Sequence, residues 1–426
     1  MANARELVLK GLCRIEEKGE YSNIALAYVL ERDDLSPVDR AFVTELMMGV
    51  VRNRLKLDYI IQKFSKIKLK KLSPKVHQML RMGIYQMVCM DNIPDSAACN
   101  ETVKLANKYA HGGAKGYVNG LLRSVSREKE NIEYPTDDLN RLSIYYSCPL
   151  WLTEKLICQY GADECEKILA DSHIKHSPAI RVNRTKITEN ELIKVLDDEG
   201  IKVKATDIEN CLLVEGAINV KKSKAYLDGL YTLQGISSMM AVDVLAPKAD
   251  EFIMDMCAAP GGKTTQIAEI MGDKGKVLAF DIHPHKIDLI KAAAERLGLY
   301  SVEAKLGNSA VFIEEYAQKA DRVLVDAPCS GIGIIHKKPD IKWQRVEEDI
   351  EELVKIQRDI LETSSKYVKS GGVLVYSTCT ILKEENQEQV QKFLENNPDF
   401  ELEEERQIQT YQKGGNGFYI AKMIRK

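Results

Sequence analysis

Three short stretches hold most of the chemistry this sequence can do: DMCAAPGGKTTQIAE at residues 255–269, DAPCSG at 326–331 and YSTCT at 376–380. The tail of the first, GGKTT, looks like a phosphate-cradling loop, which requires GxxxxGK[ST] between a strand and a helix. Counting back from Gly262, the first glycine should stand at position 257, where the chain has Cys257. Pro260 removes an N–H donor from a loop in which a phosphate would need donors. The strand RVLVD, ending at Asp326, would suit a magnesium-holding acid, but it runs directly into Cys329. An adenosine ligand fits better. Paired glycines admit a ligand close to the backbone, and the following helix offers free N–H groups to a carboxylate. The next strand ends in Asp281, the place where doubly wound folds bind ribose hydroxyls. The turn LGNS after the third strand offers Asn308 to the adenine edge.

Cys329 and Cys379 each follow an apolar run at its carboxyl end. A buried cysteine is usually a small apolar filler. Two cysteines and Asp326 at adjacent strand ends, on the side where such sheets bind ligands, point instead to a nucleophilic thiolate.

A parallel sheet must position these residues, and the pattern from about 236 onward supplies one. FIMDM, VLAFD, RVLVDA and GVLVYSTC are continuously apolar, as strands buried on both faces should be. Helical stretches TTQIAEIMG, HKIDLIKAAAERLG and EEDIEELVKIQRDILETSSKYV alternate with them, which predicts a doubly wound α/β domain over 236–426. The acidic ELEEERQ near the end reads as solvated surface. Between 141 and 235 the pattern is mixed: WLTEKLICQYG and ENELIKVLDDEG look helical with glycine caps, while AIRVNRT and CLLVEG look like strands. This predicts a small α+β subdomain, with Arg181, Arg184 and Lys186 beside one strand. Residues 1–140 predict an all-α domain whose Met-rich stripe (Val76, Met79, Leu80, Ile84, Met87, Val88) is core. Between Arg52 and Lys75 lie nine Lys or Arg residues and one acid, Asp58. Such a run is either a solvated face or a phosphate-binding surface.

The 426 residues suffice for two or three domains, and a net charge of −3 favours no partner class. No apolar run approaches the roughly 20 residues of a membrane span, and MANARELVLKGL lacks the features of a signal peptide. Ten scattered cysteines without a CxxC pair predict reduced thiols, no metal site and a cytoplasmic protein.

DMCAAPGGKT, DAPCSGIG and YSTCT together resemble the RNA (cytosine-5)-methyltransferases that use S-adenosylmethionine. DRAFVTELMMGVVR and IPDSAACNETVKLAN…GYVNGLLR resemble the domain of the antitermination factor NusB. The fusion is similar to the bacterial 16S ribosomal RNA methyltransferases of the RsmB (Sun) group, over nearly the whole chain. The resemblance implies a Rossmann-like catalytic domain, a NusB-like RNA-binding domain and S-adenosylmethionine as cofactor. It implies Cys379 as the nucleophile toward carbon 6 of cytosine, Asp326 as the group that binds the base, and Cys329 as the residue that assists removal of the carbon-5 proton. Cys257, Ala258, Ala259, Pro260, Gly261, Gly262, Lys263, Asp281, Asn308 and Asp326 would line the cofactor site, with Lys263 near Asp326. The implied substrate is 16S ribosomal RNA or an assembling small subunit, with cytosine 967 the group's usual target, and the chain is expected to be a monomer. Two positions depart from the family pattern. Asn308 stands where an aspartate is usual, and Asn416 of GGNGFY stands where an acid usually precedes Gly-Phe. The alternatives are a transfer RNA cytosine-5 methyltransferase, a non-catalytic RNA-binding assembly factor, and an NTPase, the last disfavoured by Cys257 and Pro260.

Overall fold

The computed structural model describes residues 4–31, 35–216, 218–412, 414 and 416–426. Met1 to Asn3 of the amino-terminal stretch and Gly415 of GGNGFY therefore lie outside the described residues. The chain divides into two compact units: 1–173 with 335–345, and 174–334 with 346–426.

The first unit is helical. Its central helix, Pro74–Val88, starts at Ser73, whose hydroxyl accepts from the Val76 N–H, with proline at the first position. Val76, Met79, Leu80, Ile84 and Met87 are all buried there, so the methionine stripe is core. The helix Pro37–Arg52 is capped the same way by Ser36. It meets the central helix at Gly49, where a β-carbon would fall 2.0 Å from the Tyr85 ring. Only glycine permits that approach, and the Tyr85 hydroxyl reaches past it to Glu45 at 2.8 Å. The helices Asp138–Tyr145, Leu150–Tyr160 and Ala162–Asp171 are the last three of the unit's contiguous part.

The segment 335–345 also belongs to this unit, although in sequence it lies within 236–426. Its anchors are polar groups aimed at helix ends. Trp343 Nε1 donates to the Val51 carbonyl at 2.8 Å and Lys342 Nζ to the Arg52 carbonyl at 2.9 Å. The Asp340 carboxylate accepts from both the backbone N–H and the hydroxyl of Ser22. Complete burial of Lys342 lowers its ammonium from 10.5 to about 7.

The second unit holds two sheets. The smaller consists of β1 (Ala179–Val182), β2 (Val203–Ala205), β3 (Cys211–Val214) and β4 (Tyr231–Leu233), antiparallel in the order β2-β3-β1-β4. The helix Glu189–Asp198, opened by a capping box between Thr188 and Glu191, accompanies it. The larger sheet contains β5 (Phe252–Asp255), β6 (Lys276–Asp281), β7 (Val302–Leu306), β8 (Ala320–Asp326), β9 (Val368–Thr378), β10 (Phe400–Ile408) and β11 (Phe418–Arg425). Its order is β10-β11-β9-β8-β5-β6-β7. The five strands β5 to β9 are parallel, and β11 and β10 add an antiparallel hairpin at one edge.

Apolar cores lie on both faces. Leu324 and Val375 point into one, whereas Val323, Val325, Leu374 and Tyr376 point into the other. That two-sided burial is why these strands read as unbroken apolar runs. ELEEERQ is the edge strand β10, its acids turned to solvent as edge protection requires.

Arg181 of β1 is not a surface cation. It is buried, forms a two-point pair with Glu269 at 2.9 and 2.7 Å, and donates to the Gly262 carbonyl at 2.7 Å. The small sheet thus holds the start of the helix Gly262–Ile270 in place.

Removing one partner of this buried pair strands the other charge, so Arg181→Ala should destabilise the chain by about 3–5 kcal/mol. The double change Arg181→Met with Glu269→Leu should cost clearly less. Urea denaturation of the three proteins measures the difference. Lys342 predicts a pH effect of definite sign. Its folded value near 7 lies below the unfolded 10.5, so unfolding takes up a proton between them and stability rises with pH across that window. Lys342→Met should flatten this rise, as read by Tm from pH 7 to 10.

Candidate active site

The glycine loop links β5 to the helix Gly262–Ile270. Gly261 has φ +101°, and a β-carbon there would meet the Ile290 Cα at 3.3 Å, so the position requires glycine. The Ala259–Pro260 bond is cis. Ala258 N–H donates to the Phe280 carbonyl at 2.9 Å, which lays the loop along β6. In a phosphate loop, the lysine and following threonine would face phosphate and metal. Here Lys263 Nζ donates to Asp326 Oδ2 at 2.6 Å, and Thr264 Oγ1 donates to Asp255 Oδ2 at 2.7 Å. Thr265 Oγ1 turns back to the Gly261 carbonyl at 2.7 Å. All three side chains of the tail serve the protein's own groups, which removes the basis of the phosphate-loop reading.

A cavity of about 210 Å³ opens at this loop, lined by Cys257, Ala258, Ala259, Pro260, Gly262, Lys263 and Asp326, with Asp255 at its base. Burial pushes the Asp255 carboxyl up to about 7, and its Oδ1 has no hydrogen-bond partner. Asp281 and Asn308 stand at the ends of β6 and β7 and do not line that cavity. Asp281 Oδ1 accepts from the His283 N–H at 3.1 Å, with Lys286 Nζ at 3.6 Å. Asn308 is exposed, and its Oδ1 accepts from the Ala310 N–H at 3.0 Å.

Cys329 and Cys379 meet. Their sulfurs are 3.2 Å apart, although 50 residues separate them in sequence. The pair is electrically unequal. A hydrogen bond from Cys329 favours the Cys379 thiolate, as does the Lys263 ammonium, and the net effect lowers Cys379 below an ordinary thiol. Cys329 is pushed well up by holding that hydrogen bond, by burial and by the charges of Cys379, Glu385 and Asp326. Asp326 connects the pair to the glycine loop, since its Oδ1 accepts from the Ser377 hydroxyl at 2.9 Å while Oδ2 holds Lys263.

Several residues that shape this site lie outside the sequence-derived set. Glu385 and Asn386 are neighbours in the chain, and each fixes one cysteine loop. Glu385 accepts from the Ser330 N–H at 2.8 Å and from Gln357 at 2.9 Å, next to Cys329. Asn386 accepts from the Thr378 hydroxyl at 2.5 Å and donates to the Thr380 carbonyl at 3.1 Å, bracketing Cys379. The acid–amide pair of KEEN, a few residues beyond YSTCT, was the available signal. Phe418 lies under the Lys263 ammonium, 5.3 Å from nitrogen to ring centre. Gly333 packs against Gly417 so tightly that a β-carbon on Gly333 would fall 2.1 Å from the Gly417 carbonyl. Asn416 is buried, and its carbonyl accepts from the Ser237 hydroxyl at 3.2 Å.

Comparison with known proteins identifies the family of each part of the chain. The family described as 16S rRNA methyltransferase RsmB/F matches residues 242–424. The NusB family matches residues 2–127, and the RsmF/B-like ferredoxin-like domain matches residues 148–221. A Bacillus subtilis protein named "Probable ribosomal RNA small subunit methyltransferase B" is 38% identical, covering 100% of this chain and 99% of the relative. The ribosomal RNA small subunit methyltransferase B of Proteus mirabilis is 33% identical with the same coverage. Among solved structures, the crystal structure of PH0851 aligns with a TM-score of 0.82 at 27% identity over 99% of both chains. The chain therefore belongs to the ribosomal RNA small subunit methyltransferase B family.

Proposed function

We propose that this protein methylates carbon 5 of a cytosine in 16S ribosomal RNA, cytosine 967 in the group's usual numbering, using S-adenosylmethionine and a cysteine–cytosine adduct. The observation that carries this reading is the thiol pair: two sulfurs 3.2 Å apart, one favoured as thiolate, beside the Lys263–Asp326 ion pair. The loop fits the cofactor. The backbone of Cys257 to Pro260 and Gly262 lines the cavity, and the unpartnered Asp255 Oδ1 is an acceptor suited to a cationic group. Residues Cys257 to Lys263 would hold the cofactor with Asp326, Asp281 would accept from the ribose, and Asn308 would face the adenine edge. When bound, S-adenosylmethionine supplies an electrophilic methyl group on a sulfonium sulfur.

The chain's own groups account for the remaining steps. Carbon 5 of cytosine is unreactive while the ring is aromatic. Cys379 Sγ bonds to carbon 6, the 5,6 double bond opens, and its electron pair makes carbon 5 nucleophilic toward the methyl group. Asp326 accepts from the exocyclic amine of the base, beside its ring nitrogen, with a lone pair that Lys263 and Ser377 leave free. Bond formation also removes the negative charge from Cys379. Cys329 then loses the neighbour that held its proton, releases it to solvent, and becomes the base. It takes the proton from carbon 5, the sulfur–carbon 6 bond breaks, and Cys379 departs as thiolate. The base must be unpaired or flipped to reach this site. The helical domain, residues 1–140, would serve as the RNA-binding part.

Transfer of labelled methyl groups to protein-free 16S ribosomal RNA, to small-subunit particles and to transfer RNA tests the assignment. Label confined to transfer RNA, or absent from all three, would sink it. Cys379→Ala should lower turnover at least about a thousandfold, equivalent to about 4 kcal/mol of barrier. Cys329→Ala should instead accumulate a covalent protein–RNA complex that survives denaturing electrophoresis. The pH dependence of iodoacetamide labelling, read on the Cys379 peptide by mass spectrometry, should have its midpoint below that of an ordinary thiol. Lys263→Met removes a cation that favours the thiolate, so it should shift that midpoint upward.

A further inference from the structure

The run of cations from Arg52 to Lys75 separates into two parts. The first three are used inside the fold. Arg52 donates to the His336 carbonyl at 3.1 Å, and Arg54 pairs with Glu16 at 3.6 Å. Lys56 is largely buried, 4.2 Å from the Tyr145 ring centre. The single acid, Asp58, is neutralised by Arg81 at 2.6 Å and bonded to His77 at 2.6 Å.

Lys75 belongs to the first turn of the central helix, and the five cations between are different. Lys63, Lys66, Lys68, Lys70 and Lys71 are all exposed, and none forms an ion pair among the described residues. They are held out by a built turn rather than left on a loose loop. Ser65 Oγ accepts from the Ile67 N–H at 2.9 Å and bonds the Tyr117 hydroxyl at 2.6 Å. Leu69 and Leu72 pack into the helical core on either side of Lys70 and Lys71. Leu69 and Leu72 point inward and the lysines outward, with Ile67 the one exposed apolar side chain among them, so five uncompensated positive charges lie within nine residues of a protein whose net charge is −3.

An aromatic row continues from this face. Lys63 Nζ lies 5.4 Å from the Tyr59 ring centre, and Tyr59 stacks on Tyr134 at 5.5 Å. Tyr134 meets the edge of Tyr145 at 5.2 Å, and Tyr145 is 41% exposed. Tyr145 carries Lys56 over one face and is open only in part; lysines beside partly exposed aromatic rings are the elements with which proteins hold single-stranded nucleic acid. The surface suits other polyanion-seeking roles poorly. Insertion into a membrane needs an apolar face, and the leucines here are turned inward. A protein partner would need a dry apolar centre, from which lysine is usually depleted.

We propose that the lysine face from Lys63 to Lys71 grips RNA by its phosphates, with Tyr145 as a stacking platform at its end. This rests on RNA being the substrate, as argued above. The surface positions the RNA without reading its sequence.

The test uses the full chain and protein-free 16S ribosomal RNA. Filter binding is measured across KCl concentrations for wild type and for the quadruple variant Lys66→Gln, Lys68→Gln, Lys70→Gln, Lys71→Gln. Exposed glutamines should leave the thermal transition unchanged. The slope of log K against log [KCl] should become shallower by about 3, at about 0.7–0.9 per lost contact. Affinity at 0.1 M KCl should fall at least tenfold, with the loss falling on KM for RNA in methyl-transfer assays. Tyr145→Ala should weaken binding five- to a hundredfold without changing the slope, since stacking releases no counterions. An unchanged slope and KM in the quadruple variant overturns the proposal, even if the wild type methylates RNA normally. Lysine-dependent RNA binding by a wild type that transfers no methyl group leaves this surface standing and defeats the enzymatic reading instead. Loss of binding to phosphatidylglycerol vesicles, with RNA affinity intact, would assign the face to a membrane and overturn the RNA assignment.

Discussion

The ion pair between Lys263 and Asp326, 2.6 Å from nitrogen to oxygen, is the constraint on which the rest of the site depends. It joins the glycine loop after β5 to the tip of β8. It sets the Lys263 ammonium against the Asp326 charge, which would otherwise disfavour the Cys379 thiolate unopposed, and leaves Asp326 able to bind Ser377 from β9. Three strand ends are thereby fixed to one another by two hydrogen bonds on one carboxylate. Phe418 lies beneath the ammonium, and Arg181 bonds the Gly262 carbonyl at the start of the helix that carries Lys263. The resemblance of GGKTT to a phosphate loop is thus superficial for a physical reason. Its lysine is spent on an internal carboxylate, and its two threonines are spent on Asp255 and on the Gly261 carbonyl.

The coupling of the two cysteines follows from the same frame. An isolated pair of buried thiols would both be raised, since burial penalises either anion. Asymmetry requires one sulfur to receive a hydrogen bond and a nearby cation. Cys379 has both; the Glu385 and Asp326 charges oppose either thiolate, so the hydrogen bond from Cys329 is the main source of the difference. Glu385 and Asn386 fix the two loops through main-chain and hydroxyl groups, so the sulfur separation is held by bonds that do not involve sulfur.

Much of this was legible in the sequence because its cause is local. Strands buried on both faces leave unbroken apolar runs, and residues at their ends could be numbered before the sheet was known. The glycine loop declared itself through Gly261 and Pro260, whose backbone restrictions are properties of single residues. Glu385 and Asn386 left only the weak signal of an acid–amide pair beyond YSTCT, because what Glu385 holds, Ser330 and Gln357, is far away in the chain. Arg181 was misleading beside Arg184 and Lys186. Only its pairing with Glu269, 88 residues away, shows that its charge is internal. The run from Arg52 to Lys75 was ambiguous for the same reason: counting charges cannot separate cations bonded within the fold from those facing solvent. Asn308 and Asp281 lie at the expected strand ends but outside the cavity around Lys263.

The excursion of residues 335–345 bears on how the protein is made. Trp343, Lys342 and Asp340 complete the packing of a helical unit whose other residues end at His173. On a translating ribosome, the first 173 residues emerge long before their last packing partner does. The helical unit cannot reach its final state until Arg345 has left the exit tunnel, by which time most of the parallel sheet has also been synthesised. The two units are therefore obliged to mature together, although the larger share of each is contiguous in the chain.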